Sequence, residues 1–167
     1  MKKGNTLWLI DAAYLFNAQR SIRPDYNFDY LKLRRYLEED GPIHRAYYLN
    51  STVSSVSDEQ SHFQSWLKTG KPYGPQLIVR LYQIKDVRFK CPECHAETVQ
   101  QMQKGVDVGI ATLILRLAYQ QNYETLILSS GDGDLLDAIS HVKEYLNKRI
   151  ELCVFKSGVS PDLQSYA

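Results

Sequence analysis

Cysteine is scarce in this 167-residue chain: Cys91, Cys94 and Cys153 are too few and too unevenly spaced for a disulfide framework. Long apolar runs are missing as well. No window approaches the roughly 18 uninterrupted apolar residues of a membrane helix, which excludes a helical membrane span. The opening "MKKGNTLWLI" joins a basic head to an apolar stretch, but Asp11 interrupts it and no small-residue cleavage site follows. A secretory leader is therefore not expected, and a reducing cytoplasm is the expected location. An excess of one charge sign is lacking too. With 20 Lys plus Arg against 19 Asp plus Glu the formal net charge is +1, so any contact with a polyanion has to come from a local patch. There is no internal repeat and no low-complexity tract, and the nine glycines and six prolines are scattered rather than gathered into a linker. A single domain over 1–167 is expected.

What is present is an apolar fraction of 44%, in a chain long enough to bury a sizeable core. Short apolar runs at 6–10, 44–50, 76–82, 125–130 and 150–155 predict strands. Helical patterns at 28–39, 58–68 and 106–119 separate them, and another helix is expected to begin near 133. The 106–119 segment is apolar almost all round, which predicts a buried helix. Alternation of this kind implies a three-layer α/β domain with a mostly parallel central sheet, because parallel pairs need crossover connections. In such sheets ligands bind outside the carboxyl ends of the strands, where strand order reverses. The stretch 71–96 breaks the rhythm. Residues 84–90 alternate like a strand and run into "CPECH", which predicts an inserted arm over 83–96.

The acidic residues fall where such a site would lie. Asp11 follows the first strand, Asp132 and Asp134 follow the fourth in "SSGDGDL", and Asp107 sits in the first turn of the apolar helix. A carboxylate has little reason to enter a core unless something polar meets it there. Each acid also has a plainer reading, as a helix cap or a turn residue. If all four converge, two carboxylates about 4 Å apart repel by about 4 kcal/mol at an effective dielectric of 20. Shared protons or a bound cation then become necessary. Oxygen ligands without histidine favour a hard ion such as Mg²⁺ or Mn²⁺, and the matching chemistry is metal-assisted phosphodiester hydrolysis. Lys104, close to Asp107, suits holding a carboxylate ionised or touching a phosphate.

At three places the sequence resembles the NYN domain, specifically the LabA-like branch of the PIN-like ribonuclease superfamily: Asp11 after "LWLI", "KGVDV" at 104–108, and "LILSSGDGDL" at 126–135. The resemblance implies a compact PIN-like, Rossmann-like α/β/α fold. It also implies a Mg²⁺- or Mn²⁺-dependent ribonuclease site built from Asp11, Asp107, Asp132 and Asp134. The implied substrate is single-stranded or structured RNA, cut to leave a 5′-phosphate and a 3′-hydroxyl. Lys104, Tyr14, Asn17 and Ser130 are the expected substrate-facing residues. The chain departs from the family pattern where Asp11 is followed by Ala12, Ala13 and Tyr14 instead of Gly-x-Asn, and where Leu113 replaces a further acid. These departures keep open a second reading, a catalytically weakened NYN protein that binds RNA or a partner without cutting. A third reading, a haloacid-dehalogenase-like phosphatase suggested by "GDGDLLD", lacks the general acid two residues after its nucleophile, where Ala13 stands. No Gly-x-Gly-x-x-Gly supports a dinucleotide binder.

Cys91, Cys94 and His95 form half of a tetrahedral zinc site. A structural zinc completed by His95 and another group, or by a second subunit, stands beside a reduced hairpin without metal. Cys153 is expected to be a small buried residue of a core strand. Arg80, Lys85, Arg88 and Lys90 in and before the arm suit a phosphate backbone, and Tyr14, Tyr26 and Tyr30 suit base stacking or packing. The expected partner is RNA and not a membrane, with a homodimer left open.

Overall fold

A computed structural model describes residues 4–53, 57–102 and 105–167. Its centre is a parallel sheet of five strands: β1 (Thr6–Asp11), β2 (Arg45–Thr52), β3 (Ile78–Gln83), β6 (Thr125–Ser129) and β7 (Arg149–Leu152). Their spatial order is β3-β2-β1-β6-β7. The chain moves outward from β1 through β2 to β3, then returns to the other side of β1. Strand order reverses between β1 and β6, and the crevice for a ligand opens at their carboxyl ends.

Side chains alternate across the strands with a period of two, and both faces are apolar. Leu7 and Leu9 of β1, Tyr47 and Leu49 of β2, and Leu126 and Leu128 of β6 enter one core. They meet α4 (Val106–Tyr119), α5 (Leu136–Glu144) and α6 (Pro161–Tyr166) there. Trp8, Ile10, Ala46, Tyr48 and Ile127 enter the other, beneath α1 (Ala12–Gln19), α2 (Tyr30–Leu37) and α3 (Asp58–Lys68). The three-layer α/β architecture thus follows from strands that are apolar on both sides.

Two expectations need correction. The helix α4 is not buried all round: Val106, Ile110, Leu113, Ile114 and Leu117 face the core, while Val108 is 70% exposed. An apolar composition hid an amphipathic placement, because the flanking sheet covers only one side. Cys153 lies just past the end of β7, half-buried, although its N–H still donates to Leu128 O at 2.9 Å.

The helix α2 hides an unexpected charge. Arg34 is buried and bonds to Glu38 Oε1 at 3.0 Å and to the carbonyls of Ile43, Pro75 and Gln76. A guanidinium with all its partners in place is tolerated in a core, and here it ties the segment before β2 to the one before β3. Between β3 and α4 the chain leaves the sheet. Strands β4 (Lys85–Lys90) and β5 (Glu97–Met102) pair antiparallel with each other and join no other strand.

Candidate active site at the carboxyl edge of the sheet

Parallel register sets Ile10 beside Ser129, so Asp11 and Ser130 leave neighbouring strands side by side. Asp11 is only 7% exposed, and both its oxygens are engaged. Oδ1 accepts the Tyr14 N–H at 3.1 Å, capping α1, and Oδ2 accepts the Ser130 hydroxyl at 3.1 Å. The Ser130 oxygen in turn accepts the Asp132 N–H at 3.3 Å. Asp132 Oδ1 accepts the Asp134 N–H at 2.9 Å, capping the short turn that leads into α5. The capping reading therefore holds for Asp11 and Asp132, whose side chains start α1 and the turn before α5 at neighbouring strand ends.

Asp107 arrives from another direction. Gly105 takes a left-handed φ of 104°, a conformation open to glycine, and so turns the chain from the hairpin into α4. Asp107 then lies in the first turn of α4, exposed at the sheet edge and not driven into the core as its apolar neighbours suggested. Burial first, and then the charges of Asp132 and Asp134, push its carboxyl above the usual range. Asp11 is also raised. Burial is the largest cause, partly offset by the bonds from Tyr14 and Ser130, and the charge of Asp107 adds to it. Asp107 thus feels the charges of Asp132 and Asp134, and Asp11 feels that of Asp107, across three separate stretches of chain. Among the described residues no lysine or arginine pairs with any of them.

The remaining predicted residues have distinct placements. Ser130 is fully buried and spends its hydroxyl between Asp11 and Asp132, so it positions the site instead of facing substrate. The Tyr14 hydroxyl accepts the Phe155 N–H at 3.2 Å, which ties α1 to the segment after β7. Its ring rests against Gly131, not in the open. Asn17 is exposed and lines a cleft of about 720 Å³ that begins at Ala12 and Ala13, directly beyond Asp11. Asn50, Gln64 and the exposed rings of Phe16 and Phe63 line the same cleft. Lys104 lies outside the described residues. Leu113 is part of the apolar core, so no further acid could reach the edge from that position without leaving it. Arg80 lies over the Tyr47 ring at 5.4 Å, and Arg88 and Lys90 are exposed on the hairpin.

Sequence reasoning missed the bridging role of Ser130 and the cleft. The "SS" before "GDGD" carried the first signal, because a buried hydroxyl at a strand end needs a polar partner. The cleft had no local signal, since its lining comes from several separate stretches of chain.

The family profile that matches this chain is that of the NYN domain, over residues 5–167. None of the curated proteins matches it. Among solved structures, a protein of unknown function from Vibrio parahaemolyticus superposes with a TM-score of 0.73 at 20% identity, over 99% of this chain and 90% of that one. At that identity the likeness concerns the fold alone.

Proposed function

The chain belongs to the NYN domain family, a domain of the PIN-like nuclease superfamily, and from that premise we propose that it is a ribonuclease of the LabA-like branch, dependent on Mg²⁺ or Mn²⁺ and acting in the cytoplasm on single-stranded or structured RNA. The observation that carries the proposal is the Ser130 hydroxyl set between the Asp11 carboxyl and the Asp132 backbone N–H at the strand-order reversal, with Asp107 feeling Asp132 and Asp134 and adding its charge to the surroundings of Asp11. No helix among the described residues is long and apolar enough to cross a membrane.

The donor set consists of carboxylate oxygens, which suits a hard cation. Among the described residues, however, no three His, Cys, Asp or Glu side chains form a group able to hold an ion. That arrangement fits Mg²⁺ better than a fully caged metal, because Mg²⁺ keeps several waters and is held by one or two carboxylates. One or two of Asp11, Asp107, Asp132 and Asp134 would hold it directly, and the others would reach it through its waters. When bound, such an ion supplies a more acidic water and neutralises charge on the phosphoryl oxygens. The chain's own residues do the positioning. Tyr14 N–H and the Ser130 hydroxyl fix the two oxygens of Asp11, while the adjoining cleft offers rings for stacking and amides for base edges.

A titration of Mg²⁺ and Mn²⁺ against labelled single-stranded RNA, comparing the wild type with Asp107→Asn and Asp132→Asn, tests this reading. Cleavage that needs the ion and is lost in both variants is the expected result. RNA binding that survives EDTA with no cutting at any ion concentration would instead establish the second reading, a binding or regulatory protein, which the core burial of Leu113 favours. Turnover of small phosphomonoesters would point to the phosphatase.

Ser130→Ala gives a finer test. Loss of a group that orients a metal-site carboxylate typically costs about 10–100-fold in activity or metal affinity. Because the Ser130 bond holds the Asp11 carboxyl down, its removal should also move the acid limb of the pH–rate profile to higher pH. A rate loss without that displacement would assign Ser130 to packing alone.

A further inference from the structure

The hairpin formed by β4 and β5 stands apart from the sheet, and an isolated two-stranded hairpin is only marginally stable in water. Its apolar residues find little cover: Phe89 is 47% and Val99 57% exposed. Something beyond strand pairing has to hold it, and the tip offers a candidate. The loop between the strands is closed by Cys91 N–H donating to Ala96 O and by His95 N–H donating to Cys91 O, both at 3.0 Å. His95 takes a left-handed φ of 56°, which completes the tight turn. Both cysteines are free, with Cys94 exposed and Cys91 partly so.

Two thiols in a Cys-x-x-Cys spacing on such a turn are half of a tetrahedral zinc site. Among the described residues no third His, Cys, Asp or Glu joins the pair, which leaves His95 outside it. Cys153 packs beside the other core. We propose that Cys91 and Cys94 bind one Zn²⁺ jointly with the same two cysteines of a second copy, so that the hairpin tips of two chains are joined through a four-sulfur site. This arrangement satisfies the coordination number of zinc, clamps the tip of a marginal hairpin, and brings the exposed Phe89 and Val99 near a second surface. It is independent of the acidic site, since the four ligands are thiolates and the hairpin is a separate sheet.

Measuring metal content and mass on the full chain purified under reducing conditions tests the proposal. The expected result is a dimer holding about one zinc per two chains. A strong zinc chelator should convert it to monomer. Co²⁺ exchanged into the site should show the intense sulfur-to-metal absorption and visible bands of a tetrahedral four-thiolate centre. Cys91→Ser and Cys94→Ser should each lose the zinc and the dimer while keeping the circular dichroism of the wild type, because neither cysteine belongs to a core. A monomer with one zinc per chain would overturn the shared site. So would a protein without zinc after growth and purification with zinc supplied, or one in which Cys91 and Cys94 are joined as a disulfide under reducing conditions. None of these outcomes bears on RNA cleavage, which is read in a separate assay.

Discussion

Asp11→Asn is expected to lower metal-dependent RNA cleavage by about 100-fold or more, the rate equivalent of losing several kcal/mol of charge stabilisation in the transition state. The fold should survive. Asparagine is as good an N-cap as aspartate, so the bond from Tyr14 N–H to Oδ1 remains available. The Ser130 hydroxyl can still donate to the amide oxygen or accept from the amide nitrogen. If Asp11 served only to start α1, this variant would cut RNA like the wild type, and full activity in Asp11→Asn would remove the acidic site from the mechanism.

The same substitution carries a stability signature of opposite sign. Burial and the charge of Asp107 raise the Asp11 carboxyl above its ordinary value of 3.8. The folded protein therefore binds that proton more tightly than the unfolded chain. The resulting stabilisation is present below the ordinary value and is lost as pH rises through the raised one. In EDTA, the urea midpoint of the wild type measured against that of Asp11→Asn should thus decline with rising pH across this interval. The comparison cancels other titrating groups, such as Glu38, whose carboxyl is pulled down by Lys71 and Arg34 against the cost of burial. Added Mg²⁺ should raise the midpoint of the wild type and leave that of Asp11→Asn nearly unchanged. A difference between the two proteins that is flat with pH would mean that Asp11 carries no buried charge. Charge held at a cost to folding is what a functional site requires and a simple cap does not.

The second large effect is expected at Gly131, which follows Ser130 in the turn leaving β6. A Cβ there would stand 2.0 Å from the Gly158 carbonyl oxygen and 2.6 Å from the Tyr14 ring. The first of these neighbours is backbone and cannot swing aside. Gly131 also accepts the Ser160 N–H at 2.9 Å through its own carbonyl, so the two segments are locked together. Gly131→Ala should cost about 3 kcal/mol through overpacking, which for a domain of this size lowers the melting temperature by about 6–12 °C. Whatever protein remains folded should also cleave poorly, since Ser130 and Asp132 on either side of the strained residue are displaced with it. A melting temperature within about 1 °C of the wild type would show that the chain around Gly158 yields more readily than its hydrogen bonds suggest.

Much of the architecture was legible in the order of residues. The five parallel strands fall within three residues of the apolar runs that predicted them, and α3 and α4 match the periodic segments 58–68 and 106–119. These features depend on local pattern, since a strand buried on both faces must be apolar throughout and a helix repeats its apolar contacts every three to four residues. The acids were legible for a similar reason. Asp11, Asp132 and Asp134 stand immediately after strands whose ends were easy to find. Exposure was harder to read. Asp107 and Val108 sit in an apolar helix yet face solvent, whereas Arg34, placed among charges, is buried. Sequence reports composition along a helix, while burial depends on which side another element happens to cover.

By itself, then, the sequence determined the class of the fold, its family, and which carboxylates and thiols stand as candidates for chemistry, because each of these is written in residue type and short-range spacing. The tertiary structure alone decided three things: that Ser130 joins Asp11 to the Asp132 backbone, that Tyr14 is spent on holding Phe155, and that among the described residues no third ligand stands beside the two cysteines. Such relations link residues separated by as many as 141 positions or turn on what is not nearby. Only the packing of the whole chain sets distances of that kind.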